Sequence, residues 1–204
     1  MTKKLTQEEY NNQISVEGRF RATKSPEISR SSEWTGTMTK AYAGIGSRET
    51  PDDILHMMTA FARIAEEHGW TLRSGGAPGA DTAFELGVKH RIHKEIYLPW
   101  GGFNGSDSHR TKPMALASQL VDRYHPAPEK LSQGAMKLHM RNMHQIFGPN
   151  LETPVKFVIC WTKGAQLVGG TATALRAAID KNIPIFNLAD PNVDEAGLER
   201  ILYG

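Results

Sequence analysis

Ser74-Gly75-Gly76-Ala77-Pro78-Gly79-Ala80-Asp81 is the stretch that decides the fold of this chain. A strand-like run, Trp70-Thr71-Leu72-Arg73, leads into it, and a helix-like run, Thr82 to Val88, leaves it. Three glycines within five residues let the backbone turn tightly and keep its amides bare. Asp81 stands where a carboxylate can cap the outgoing helix. Strand, glycine loop and helix N-terminus together make an anion site, because free N–H groups and the helix dipole face the same ligand. One such loop is weak evidence, since a tight turn that binds nothing has the same composition. The weight comes from repetition: the chain holds three junctions of this kind.

Upstream, Ala41-Tyr42-Ala43-Gly44-Ile45-Gly46-Ser47 reads as a buried strand and its turn. Thr50 as N-cap and Pro51 in the first turn open a helix to about His68. Ile54, Met57/Met58, Phe61, Ile64 and Ala65 give that helix an apolar stripe, and Gly69 closes it. Downstream, Lys94 to Pro99 is a third strand, followed by a loop, Trp100 to Ser106, with two aromatics and three glycines. A short helix is expected from Pro113 to Val121 and a longer one from about Glu129 to Phe147. Met136, Met140, Met143 and Phe147 lie on one face of the latter as core, with Lys137, Arg141 and His144/Gln145 on the other side. Lys156 to Trp161 is a fourth strand, nearly all apolar, as a strand covered on both faces should be. A helix from Gly170 to Lys181, a fifth strand from Ile183 to Leu188 and a closing helix around Leu198, Ile201 and Leu202 complete the series.

This alternation predicts an α/β fold, a Rossmann-like three-layer sandwich with a mostly parallel sheet, preceded by an N-terminal extension. In such sheets ligands bind beyond the carboxyl ends of the strands. That rule gathers the loops Gly44–Arg48, Ser74–Asp81 and Thr162–Thr173. Residues 1–37, with six Lys/Arg, five Glu and few strongly apolar side chains, read as an arm; the compact domain spans 38–204. No run approaches the length of a membrane span, and the first residues lack the apolar stretch of a secretory signal, so a cytosolic protein is expected. Cys160, the only cysteine, lies in a strand-like run and reads as a buried structural thiol. The histidine spacings give no metal pattern, and neither a metal nor a cofactor is expected.

The first loop, Gly44-Ile45-Gly46-Ser47-Arg48, offers bare backbone, a hydroxyl and a guanidinium able to grip a phosphate with two bonds. In the third loop, Thr162 stands at the end of the fourth strand, and Gly169-Gly170-Thr171-Ala172-Thr173 opens a helix with two glycines and two hydroxyls. This is the better phosphate candidate. It is not a Walker A loop, because no Gly-Lys-Ser/Thr follows.

Ala43 to Arg48, Ser74 to Asp81, Arg141-Asn142-Met143 and Gly169 to Thr173 together resemble the SLOG superfamily, the Rossmann-like group of DNA-processing protein A and the cytokinin-activating LOG enzymes. Within it the chain is most similar to the branch related to the YspA/YpsA proteins of bacteria and phages. The resemblance spans about residues 41–188, in family order, and implies a pocket for nucleotides or nucleotide-derived molecules. It implies ligand contacts at Gly44, Gly46, Ser47, Arg48, Ser74, Gly75, Gly76, Gly79, Asp81, Arg141, Asn142, Thr162, Gly169, Gly170, Thr171 and Thr173. LOG-type phosphoribohydrolases carry Pro-Gly-Gly-x-Gly-Thr-x-x-Glu; here Val168 replaces the proline, Ala172 the third glycine and Arg176 the glutamate. A guanidinium cannot serve as a general base.

The expected function is therefore binding, as a sensor or a sequestering protein, of a nucleotide-type signal such as an ADP-ribose-like or cyclic nucleotide ligand, with phage–host conflict as one setting. Trp100, Phe103 or Trp161 would stack on its base. The runner-up is an N-glycosidic hydrolase, with Asp81 and Glu85, one helical turn apart, as its carboxylates. Single-stranded DNA binding ranks third. Removing the arm's six and five charges from the chain's 24 Lys/Arg and 22 Asp/Glu leaves 18 against 17, too balanced for a nucleic-acid track. A closed homo-oligomer and no membrane partner complete the expectation.

Overall fold

The computed structural model describes residues 40–108, 110 and 115–204. The arm, residues 1–37, and the expected helix start at Pro113 lie outside the described residues. The elements, in order, are β1 (Ala41–Gly46), α1 (Asp52–Glu67), β2 (Thr71–Ser74), α2 (Ala80–Gly87), β3 (Lys94–Ile96), α3 (Leu116–Tyr124), α4 (Gln133–Phe147), β4 (Val158–Trp161), α5 (Ala172–Asp180), β5 (Ile185–Asn187) and α6 (Glu195–Tyr203). The five strands form one parallel sheet in the order β3-β2-β1-β4-β5. This is the Rossmann-like sandwich that the alternation predicts. Among the described residues no helix is long and apolar enough to cross a membrane.

The period-2 geometry of the central strands divides the core in two. Tyr42 of β1, Leu72 of β2 and Ile159 of β4 face Met58, Phe61, Phe84, Leu198 and Leu202 from α1, α2 and α6. The alternate residues Ala41, Ala43 and Ile45 of β1, with Val158 and Cys160 of β4, face Val121, Met143, Ile146, Leu175 and Ala178 from α3, α4 and α5. Cys160 is buried, and burial pushes its thiol up to about 12, as befits a packing residue. Met136 and Met140 pack at the edge of the second core and Met143 inside it, so the methionine stripe is core.

Several boundaries differ from the sequence expectation, each for a local reason. Pro51, not Thr50, occupies the cap of α1, and the Thr50 hydroxyl turns back to donate to the Ser47 carbonyl at 2.8 Å. The expected helix from Glu129 starts at Gln133, because the Ser132 hydroxyl accepts the Ala135 N–H at 3.2 Å and caps it there. β3 stops at Ile96, after which Tyr97 bridges Arg110 and Leu98 donates to the Arg110 carbonyl. β5 begins at Ile185, because the Ile183 N–H is bound to Ala178 at the end of α5.

Phe157, just before β4, is the hub of the first core. Its ring lies 5.4 Å from Tyr42, 5.0 Å from Trp70, 6.0 Å from Phe186 and 6.2 Å from Phe61. The Tyr42 hydroxyl is buried with no hydrogen-bond partner among the described residues. Phe157→Ala is expected to lower stability by about 3–5 kcal/mol, and Tyr42→Phe to raise it by about 1 kcal/mol, since it removes an unsatisfied polar atom. Urea denaturation reads both; a loss on Tyr42→Phe would mean the hydroxyl has a partner.

Candidate functional site

The strand order reverses between β1 and β4, and loops leaving their carboxyl ends must diverge there. A cleft of about 480 Å³ opens at that point. It is lined by Gly46 at the end of β1 and Ser47, Arg48 and Glu49 after it, by Ala77 and Asp81 from the glycine loop, and by Thr162, Lys163 and Val168 to Thr171 after β4. One face of α4 closes it with Leu138, His139, Arg141, Asn142 and Gln145. All three sequence-identified loops thus reach a single cleft.

Its floor is an ion pair. Arg141 Nη1 donates to Asp81 Oδ2 at 2.9 Å, and both side chains are more than nine-tenths buried. Burial pushes the Asp81 carboxyl above the usual carboxylate range; the Arg141 charge and the Ala77 and Gly46 N–H groups pull the other way. Asp81 is not the end cap of α2, a correction to the sequence reading. Gly79 holds that position and Asp81 is the second helical residue, its carboxylate turned to Arg141 and, at 3.4 Å, to the Ala77 N–H. Gly75 makes the pair possible. A Cβ there would lie 1.2 Å from Arg141 Nη1 and 2.7 Å from Gln145 Nε2. Gly79 has φ +84, and a Cβ on it would meet the Ser47 carbonyl at 2.7 Å, so this glycine lets the first two loops touch.

The upper wall is held from both sides. Asn142 Nδ2 donates to the Gly170 carbonyl at 2.8 Å, fixing the third loop to α4. Asn187 of β5 donates to the Thr162 hydroxyl at 2.7 Å and accepts the Thr162 N–H at 3.2 Å. α5 begins at Ala172, so the N–H groups of Gly169, Gly170 and Thr171 precede its first turn. None of the three has a hydrogen-bond partner among the described residues.

Other expected site residues lie elsewhere. Gly44 is packed under Phe84, the Ser74 hydroxyl is spent on the Gly44 carbonyl at 2.7 Å, and Thr173 is buried in α5 and does not line the cleft. Gly76 and Gly79 open onto a second groove on the far side of the glycine loop, and so does Glu85. Asp81 and Glu85 therefore do not share one cleft: Glu85 pairs with Lys94 at 3.8 Å. Arg176 turns aside to the Leu167 carbonyl at 3.4 Å. Neither Trp100, Phe103 nor Trp161 lines the cleft; Phe103 is buried with the Arg141 guanidinium 5.9 Å from its ring. The side of α4 placed opposite the methionine stripe at Arg141 and His144/Gln145 is also buried, as is the whole end of the helix from Arg141 to Phe147.

Sequence reasoning missed Glu49, Lys163 and His139, which also line the cleft. The α4 residues were findable from spacing, since Leu138, Arg141, Asn142 and Gln145 recur at helical intervals of three and four. Glu49 and Lys163 carried no such signal. Burial, the neighbouring His125 ring and the Arg141 charge push His139 down to about 4.

Two outcomes follow from this geometry. Gly75→Ala should lower stability by about 3 kcal/mol in the natural chain, through overpacking and the broken pair. In an Arg141→Ala background it should cost less than about 1 kcal/mol; equal costs in a double-mutant cycle would sink the explanation. His139 stays neutral in the folded protein while the unfolded chain takes up a proton near 6.5, so the unfolded state binds more protons as pH falls. Stability should drop as pH falls from about 6.5 to about 4, and His139→Gln should flatten that slope in denaturation series at pH 7 and 5.

Comparison with protein-family models, with curated proteins and with solved structures finds no match to this chain.

Proposed function

We propose that this chain binds a nucleotide or nucleotide-derived small molecule in the cleft between β1 and β4, as its resemblance to the SLOG superfamily implies. The observation that carries this reading is the set of N–H groups at Gly169, Gly170 and Thr171 ahead of α5, without partners among the described residues, in the same cleft as Arg48. Such amides, the dipole of a nine-residue helix and a guanidinium all favour a phosphate. Ile45, Leu138, Val168 and Ala174 give the same cleft apolar wall for a base or sugar.

The hydrolase is the second reading, because burial raises the Asp81 carboxyl inside the cleft, a property useful to a general acid. Against it, that carboxylate is already engaged by Arg141 and lacks the second carboxylate once expected at Glu85. Glu49, exposed at the rim, is the other carboxylate lining the cleft. A cytosolic, homo-oligomeric protein belongs to the same proposal, and light scattering of the full chain reads the oligomer.

Mass spectrometry of small molecules released by heating the purified protein, followed by calorimetric titration with nucleoside monophosphates, cyclic nucleotides and ADP-ribose, tests the reading. An intact ligand near one equivalent is expected, with Arg48→Ala weakening its binding about tenfold or more. Product accumulating beyond one equivalent, and lost in Asp81→Asn, would establish the hydrolase instead. No binding from the panel would overturn both.

A further inference from the structure

The glycine loop has a second side. Its residues Gly76, Pro78 and Gly79 form one wall of a groove of about 830 Å³ completed by α1, α2 and the segment Asn104 to Asp107. Leu55, Ala83 and Leu86 supply its apolar surface, and Leu86 is 73% exposed. Asp52, Glu85 and Asp107 supply three carboxylates, and no lysine or arginine is among the described residues lining it. Lys94 approaches Glu85 at 3.8 Å and offsets one of the three. Burial is the main cause that pushes the Glu85 carboxyl up; Lys94 opposes it, and the Asp107 and Asp81 charges add to it.

The complementary charge lies in the same chain. Within residues 1–39, Arg19-Phe20-Arg21-Ala22-Thr23-Lys24 carries three cations and one large apolar side chain, with no acidic residue between Glu17 and Glu27. The other basic pair of the arm, Lys3-Lys4, is closely followed by Glu8-Glu9. Residues 25–39, which join this segment to Lys40 at the edge of β1, can span about 50 Å when extended. A domain of this size measures about 40 Å across. The tether is long enough.

We propose that Arg19 to Lys24 of the chain's own N-terminal arm docks in this groove, with the cations against Asp52, Glu85 and Asp107 and Phe20 against Leu86 and Leu55. The contact is electrostatic at its rim and weakens with salt. It occupies the face of the glycine loop opposite to the ion pair of the cleft. A second copy of the chain supplying its arm in exchange is the competing occupant.

The test uses the full chain with two introduced surface cysteines; Cys160 is buried and does not interfere. Ala22→Cys is combined with Leu86→Cys in the groove, or with Ile179→Cys, 53% exposed on α5 in the opposite layer. The expected result is intramolecular disulfide formation at least tenfold faster at position 86 than at 179. It should slow at least threefold in 0.5 M salt (about a 4 Å screening length) or with Glu85→Lys and Asp107→Lys together. Equal rates at the two positions overturn the proposal, as does a rate at 86 indifferent to salt and to charge reversal. Disulfides forming only between chains overturn it in favour of the second copy.

Discussion

The buried pair between Asp81 and Arg141 is the constraint on which the rest of the site depends. It ties α4, from one layer of the sandwich, to the first turn of α2, from the other, across the carboxyl ends of the strands. Two charges taken out of water are costly to bury, and their attraction offsets that cost only when the geometry is good. A pair of this kind is therefore better understood as a positioning device than as a source of stability. It holds Arg141 at the floor of the cleft, and it is the reason Gly75 has no room for a side chain.

From that anchor the remaining walls follow. With Arg141 fixed, the next residue, Asn142, reaches the Gly170 carbonyl and draws the third loop to the same helix. That loop is held at its base by the Thr162–Asn187 exchange between β4 and β5. Gly169 to Thr171 line the cleft ahead of the first turn of α5, and their N–H groups have no acceptor among the described residues. Preorganised donors cost a ligand little ordering when it arrives, and this is the physical basis for reading the cleft as a binding site. The same glycine loop that carries Asp81 on one side walls the acidic groove on the other, so a single short turn separates a cleft of mixed charge from a groove whose described lining carries carboxylates and no Lys or Arg.

How legible this was depends on the range of the interaction. The strands and helices were readable from local pattern: Tyr42 alternating with Ala41 and Ala43, or Met57, Phe61 and Ile64 at helical spacing, are signals that neighbours in sequence settle. The convergence of three loops was readable too, because a parallel sheet sends every strand's end to one side. The roles inside the cleft were not. Gly75 looks like a residue that bares an amide, yet what requires it is Arg141, 66 positions away. Asp81 and Glu85 look like partners one turn apart, yet the turn of α2 sends one toward Arg141 and the other toward Lys94.

The amino-acid sequence by itself determined the element order, the alternation that makes the sheet parallel, and the three glycine-rich junctions, because each is a property of consecutive residues. Only the tertiary structure decided which carboxylate faces which cation, which glycines give room to a distant side chain, and that the arginine end of α4 is buried and not solvated. Those outcomes depend on which surfaces the packing of two helical layers brings within a few ångströms, and no spacing along the chain encodes that distance.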